Sequence, residues 1–305
     1  MIARTTVSLL LILTSVNGGW QAVESITNRP DRIDLTCASN SRAVVCDQSD
    51  VIHVVWRGQV GDRFQVWYMC CPIDSLRWRD TVVLSSDTAP ATDPCLALDS
   101  AGNLHVAWTS GESLRLATRE RLSRLWVVHE PLPVFRGDSS LSIACDAAGT
   151  QHLVWLRGSG FSACICYVKH DIQGWQNHDS IGIAHSSTGL GRPSIAAAGN
   201  GDLMVVWKDQ LTGPVVFARL RISGVWQEAE VVCESVGSRA PCAARSSDSL
   251  WHVVWAAEPR ILWRSRSRAG WGRDTCVALF RNWEPATSVT ADADGRLHLV
   301  WIGEP

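Results

Sequence analysis

Short runs of alternating apolar and polar residues, separated by Gly-, Asp- and Ser-rich turns, fill this chain, and no segment keeps a helical period. One pattern recurs six times, as "DQSDVIHVVW", "DSAGNLHVAW", "DAAGTQHLVW", "AGNGDLMVVW", "SSDSLWHVVW" and "DADGRLHLVW". A polar turn leads into an apolar strand that closes on tryptophan. These are Trp56, Trp108, Trp155, Trp207, Trp255 and Trp301, spaced 46 to 52 residues apart. A second tryptophan follows a short turn later in the unit, at Trp78, Trp126, Trp175, Trp226 and Trp271. Between the two lies a further strand-like run, such as "ACICYVK" or "VVFARL", and before the first lies one such as "PCLALD" or "LSIACD". Four strands per unit, A to D from the inside outward, predict a four-stranded antiparallel blade, and the period is that of a propeller. One blade per copy predicts an all-β, six-bladed β-propeller, a single domain over residues 20–305. The tryptophans then read as packing between blades.

The copies differ in an informative way. Asp47, Asp99, Asp146 and Asp292 each stand six residues before a histidine, at His53, His105, His152 and His298. In the fourth copy both members change together, to Ala198 and Met204, while the fifth keeps a polar partner with Ser246 and His252. Loss of both at once predicts that they touch. A buried imidazole bonded to a carboxylate at each A–B hairpin satisfies two groups that are costly to leave unpaired. A feature present in nearly every copy is expected to be scaffold.

The two ends are linked. The last unit stops after "LHLVW", so its strands C and D are expected from elsewhere, and "LILTSVNGGWQAVESI" aligns with "CYVKHDIQGWQNHDSI", placing Trp20 in the register of Trp175. The N-terminal strands are therefore expected to close the ring. Residues 1–19 also carry Arg4, an apolar run from Val7 to Leu13 and small residues near Gly18, the pattern of a secretory signal. The two readings predict different places for the protein: outside the cytoplasm if the segment is a signal, and cytoplasmic if it is a closing strand.

Charge and cysteine content narrow the chemistry. The chain carries 28 basic and 30 acidic residues, a net of −2, so no broad basic face is expected for nucleic acid. The apolar run is too short to span a membrane. Eleven cysteines, an odd number without zinc-ligand spacing, read as small apolar core residues; Cys46, Cys95, Cys145 and Cys242 lie in apolar runs. No nucleophile elbow, phosphate loop or dinucleotide motif occurs, and "DADG" at 292–295 reads as an A–B turn, so neither metal nor cofactor is expected. "RGD" at 136–138 falls in an expected exposed D–A connection and spells a receptor motif that three residues match easily by chance.

The strand A, turn, "LHVVW" and later turn-plus-tryptophan pattern resembles the Asp-box repeat proteins of the sialidase superfamily over nearly the whole chain. "KHDIQGW" and "SRSRAGW" keep only the turn and the tryptophan of that family's S-x-D-x-G-x-x-W turn. The resemblance implies a six-bladed propeller with a glycan site at the central mouth, where arginines hold a carboxylate. Arg239 in "SRAPCAA" has the implied Arg-x-Pro spacing, and Arg192 in "GRPSIA" lies one residue closer. The family's nucleophilic tyrosine has no counterpart late in this chain, whose tyrosines are Tyr68 and Tyr167 in expected C strands.

Residues that break the repeat on the face shared by the D–A and B–C loops are the best candidates for a site. Trp283 and Glu284 in "FRNWEPAT" stand outside both tryptophan registers and pair an aromatic with an acid, as sugar recognition requires; the plainer reading of Trp283 is a cap on the rim. Arg192, Arg239, Lys208 and Arg57 complete the ligand-binding set, and Asp93, Asp209 and Glu284 are candidate acid–base carboxylates. For the charged members the plainer reading is a solvated loop. The expected function is non-catalytic recognition of a glycan or a protein, with a sialidase-like glycoside hydrolase or a lyase as the alternative and a purely structural interaction platform as a third reading.

Overall fold

The computed structural model describes residues 34–35, 43–75, 77–85, 89–135, 138–158, 163–184, 192–209, 215–234, 238–246, 250–280, 287–292 and 294–301. All regular structure among them is β-strand, in successive antiparallel sheets that follow the sequence repeat. In unit 1, strand A is split into Asp34–Leu35 and Val44–Cys46, followed by Val51–Val60, Arg63–Pro72 and Arg79–Val83. Unit 2 runs Ala91–Leu98, Leu104–Ser110, Ser113–Arg119, and a split D strand at Trp126–Val128 and Leu132–Pro133. Unit 3 runs Ser139–Cys145, Gln151–Arg157, Cys164–Asp171, then Gly174–Trp175 with Asp179–Ile183. Unit 4 has Ser194–Ala197, Leu203–Asp209, Val215–Ile222 and Val225–Cys233. Unit 5 has Ser238–Arg245, Trp251–Ala257, Arg260–Ser267, then Gly270–Trp271 with Thr275–Leu279. Thr287–Ala291 and Leu297–Trp301 form a two-stranded sixth unit, and the residues expected to close it, 1–33, lie outside the described ones.

Consecutive A strands pack on one another, which puts them innermost, and the apolar core lies in the seams between units. Four of the six strand-B tryptophans fill the seam toward the preceding unit: Trp108 joins unit 1, Trp155 joins unit 2, Trp207 joins unit 3 and Trp255 joins unit 4, while Trp56 packs within unit 1. The second tryptophans, Trp126, Trp175, Trp226 and Trp271, pack on the same four seams. These eight tryptophans are therefore packing between units, as expected. Burying an indole in each seam stabilises it by roughly 2–3 kcal/mol, so the units hold together by nearest-neighbour contacts. Trp301 is 41 % exposed, in contrast to its buried equivalents.

Local chemistry explains the hairpins. Asp47, Asp99, Asp146 and Asp292 use Oδ1 to accept backbone N–H groups of their own A–B turn, for example Ala148 and Thr150 on Asp146, each at 2.9 Å. Gly102, Gly149 and Gly295 supply the left-handed φ of 77 to 81° that the same turn needs. Oδ2 of each aspartate then holds the histidine Nε2, at 3.3 Å for His53, 3.0 Å for His105, 3.2 Å for His152 and 2.9 Å for His298. His252 holds Ser246 instead, at 3.1 Å. The contact inferred from paired loss is real. The cysteines divide: Cys95 and Cys242 are fully buried, whereas Cys46 is exposed and Cys145 half-buried, because each of these two ends its strand at the solvent-facing A–B turn.

Candidate functional sites

Strands A of units 2, 3 and 5 begin with a bulge, and the bulged residues Asp93, Ser140 and Ala240 adopt φ of 52, 59 and 50°. These bulges line up along the inner seam. Asp93 Oδ2 accepts the backbone N–H of Ser140 at 2.8 Å, and the Thr287 hydroxyl donates to the Ala240 carbonyl at 2.6 Å. Asp93 thus ties unit 2 to unit 3 through its carboxylate. Arg239, one residue before Ala240, is half-buried at the same end of unit 5.

Lys208 follows the strand-B tryptophan of unit 4 and is 6 % exposed. Its ammonium makes no hydrogen bond or ion pair to any described residue. Burial, and to a lesser extent the positive charge of Arg239, lower its pKa to about 8. Lys208 of unit 4 thus lies within the electrostatic reach of Arg239 of unit 5. Arg192, two residues before strand A of unit 4, and Asp209, the last residue of its strand B, are both half-buried. Arg57 lies on unit 1, its guanidinium 4.5 Å above the Phe64 ring. Trp283 and Glu284 lie outside the described residues.

A second grouping on the loop face was not anticipated. Asp138 is 7 % exposed; its Oδ2 accepts the Trp155 indole at 2.8 Å and lies 3.5 Å from Arg157 Nε. The Asp of "RGD" is thus a buried seam residue, because the Trp155 N–H needs an acceptor, and it does not belong to an exposed receptor loop. Arg157 lies over the exposed Phe135 ring at 4.6 Å and meets His178 at 3.5 Å. Arg157 stands two residues beyond the strand-B tryptophan, the one sequence signal that pointed here.

The opposite face, built from A–B and C–D turns, carries two cavities at equivalent seams. Between units 1 and 2, a cavity of about 300 Å³ is lined by Asp47, His53, Asp80, Arg119 and Arg121 among others. Here Tyr68 OH bonds His53 Nδ1 at 2.8 Å and accepts from Arg119 at 3.2 Å, and Arg119 also pairs with Asp80 at 3.2 Å. Burial raises the Tyr68 phenol far above its ordinary pKa, which removes it as a base. The Asp–His–Tyr grouping recurs at Asp146, His152 and Tyr167, so it is a device of the repeat. Between units 2 and 3, a cavity of about 370 Å³ is lined by His105, His129, His170, Thr118, Gln151 and Ile172 among others. Among the described residues no group of three or more His, Cys, Asp or Glu side chains has an arrangement able to hold a metal ion.

No protein-family model and no curated protein sequence matches the chain. Solved structures do. A mutant of the Aleuria aurantia lectin in complex with Fucα1-6GlcNAc superposes with a TM-score of 0.59 at 11 % identity, over 87 % of this chain and 88 % of that one. An ulvan lyase of a new polysaccharide lyase family, bound to glucuronate and 3-sulfated rhamnose, gives 0.58 at 10 %, over 88 % and 80 %. A Hadza microbial sialidase, Hz136, gives 0.54 at 15 %, over 93 % and 68 %. At these identities the likeness shows the fold, a β-propeller type of sheet array.

Proposed function

We propose that the protein is a non-catalytic β-propeller that binds an acidic glycan on the face of the D–A and B–C loops. One observation carries this reading: Lys208 keeps a buried ammonium beside Arg239 with no partner among the described residues. A buried ammonium in the field of a second positive charge is costly, and a carboxylate or sulfate arriving at Lys208 offsets that cost. Sugars of this charge occur in the ulvan lyase complex, and a sialidase shares the architecture, which supports the ligand class. Arg192 and Trp283 are the proposed further donor and stacking surface.

The ring reads as six blades, closed by residues near Trp20 pairing beyond Leu297–Trp301; the exposed Trp301 supports a missing neighbour there. Secretion by a signal within residues 1–19 fits the ligand. The test is a glycan array on the full chain, followed by calorimetry with sialylated and uronate-containing oligosaccharides on wild type, Lys208→Met and Arg239→Ala. Binding to carboxylated glycans is expected to drop at least about tenfold in either variant, the loss of one charge-assisted hydrogen bond. Unchanged affinity in Lys208→Met overturns the site. Turnover on the array favours the hydrolase or lyase with Asp209 or Glu284 as acid, and selective binding to protein partners favours an interaction platform.

A further inference from the structure

The end of strand C presents one position per unit to the preceding seam, opposite the first residue of strand B. Arg119 faces Leu104, Arg221 faces Leu203 and Arg266 faces Trp251. Each guanidinium crosses back: Arg119 to Tyr68 and Asp80, Arg221 over the Tyr167 ring at 5.7 Å, Arg266 to Glu230 at 2.7 Å. Unit 3 breaks the rule with His170, which faces Gln151. His170 meets His129 of unit 2 edge-on, ring centroids 4.6 Å apart, in the cavity between these units.

For neutral rings, hydrogen bonding sets both tautomers. Asp99 Oδ2 can only accept, so His105 Nε2 donates to it at 3.0 Å and His105 Nδ1 carries the lone pair. The Thr118 hydroxyl must then donate to that Nδ1, at 3.0 Å. Its oxygen accepts from His129 Nε2 at 2.8 Å, which leaves His129 Nδ1 as a bare lone pair. On the other side, the Gln151 amide nitrogen donates to the Gly149 carbonyl, turning Oε1 toward His170 Nδ1 at 2.8 Å. His170 Nε2 is thereby also bare, on a side chain only 7 % exposed. Neither nitrogen has a partner among the described residues.

We propose that this cavity is a second binding site, for an uncharged saccharide whose hydroxyls donate to Nδ1 of His129 and Nε2 of His170. The two acceptors carry no charge and Asp99 and Asp171 also line the cavity, so a carboxylate is disfavoured there. Burial holds both imidazoles below their ordinary pKa, and their mutual proximity lowers His170 further. Ile172, 98 % exposed at the rim, provides an apolar wall for the C–H face of a pyranose. A volume of about 370 Å³ suits one or two sugar rings. This site does not depend on the Lys208 reading, which concerns the other face.

The test titrates methyl glycosides of neutral hexoses and deoxyhexoses into the full chain. Imidazole ¹⁵N shifts of His129 and His170 report the bare nitrogens. At least one glycoside is expected to move both resonances, and His129→Phe or His170→Phe, which keep a ring but remove the lone pair, to weaken binding at least about tenfold. Lys208→Met is expected to leave it unchanged, which separates this site from the acidic-glycan site. Should His170→Phe fail to fold, His129→Phe and the wild-type shifts decide. The proposal is overturned if no glycoside on the panel moves these resonances, if His129→Phe binds normally, or if only Zn²⁺ shifts them.

Discussion

Arg266 of unit 5 reaches across the seam to Glu230 of unit 4 with both edges of its fork, Nη2 to Oε1 at 2.7 Å and Nε to Oε2 at 2.9 Å, while the Trp271 indole donates to Oε2 at 2.5 Å. Paired, two-pronged geometry makes this ion pair worth more than the usual surface bridge. Glu230→Gln is expected to cost about 1–2 kcal/mol in chemical denaturation. The Arg266 hydrogen bonds hold the Glu230 carboxyl below its ordinary pKa. Its contribution is therefore present above the unfolded carboxyl pKa and lost as pH falls through the folded one. The difference from Glu230→Gln should accordingly vanish in acid.

Gly182 is small because Trp207 leaves no room. A Cβ there would lie 2.6 Å from the indole Cζ2, in the seam between units 3 and 4. Gly182→Ala is expected to destabilise the protein by about 1–3 kcal/mol through overpacking. An unchanged melting temperature, with Trp207 fluorescence unmoved, would contradict this packing.

The Asp146–His152 pair is buried on both sides. Asp146→Ala is expected to cost about 1–3 kcal/mol, since it leaves an imidazole N–H unpaired and opens the turn that Oδ1 holds. Unit 4 shows the remedy with Ala198 and Met204, both buried. Adding His152→Met to Asp146→Ala should therefore cost less than the sum of the two single changes in a double-mutant cycle. Strict additivity would mean that the two side chains act independently.

Acid should weaken the fold in two stages. Burial lowers His53, His129 and His252, and burial together with the neighbouring His129 and His105 lowers His170 to about 4, so the fold favours the neutral rings. Their folded pKa values lie below the unfolded value of about 6.5, so the unfolded chain binds more protons between the two, and stability falls as pH drops through that window. In a second stage, Asp47, Asp99 and Asp146 titrate. Burial pushes these carboxyls up, but hydrogen bonds from their turns and histidines outweigh it and hold them below the ordinary range. Melting temperature against pH should slope from about 6.5 downward and steepen below about 4; His170→Gln should flatten the first stage.

Lys208→Met should raise the melting temperature while weakening acidic-glycan binding at least about tenfold, because it replaces a buried ammonium, unpaired among the described residues, by an apolar chain of similar shape. A destabilised variant would show that the charge is satisfied in the unliganded protein.

Repetition made much of this legible. Period-two alternation, the recurring tryptophans and the paired loss of Asp and His at Ala198 and Met204 fixed the strands, the seams and a hydrogen bond before any coordinates, since each follows from local geometry copied along the chain. The tertiary structure alone decided what faces what across a seam. Asp138 looked exposed in a loop, yet the Trp155 indole draws it inward. Lys208 and Arg239 are 31 positions apart and feel each other's charge only because units 4 and 5 pack. His129 and His170 sit in different repeats, and their bare nitrogens arise from a hydrogen-bond chain through Asp99, His105 and Thr118. Strand pattern is a property of neighbours in sequence, whereas partner choice for a polar atom is settled by whichever donor or acceptor the packing brings within reach.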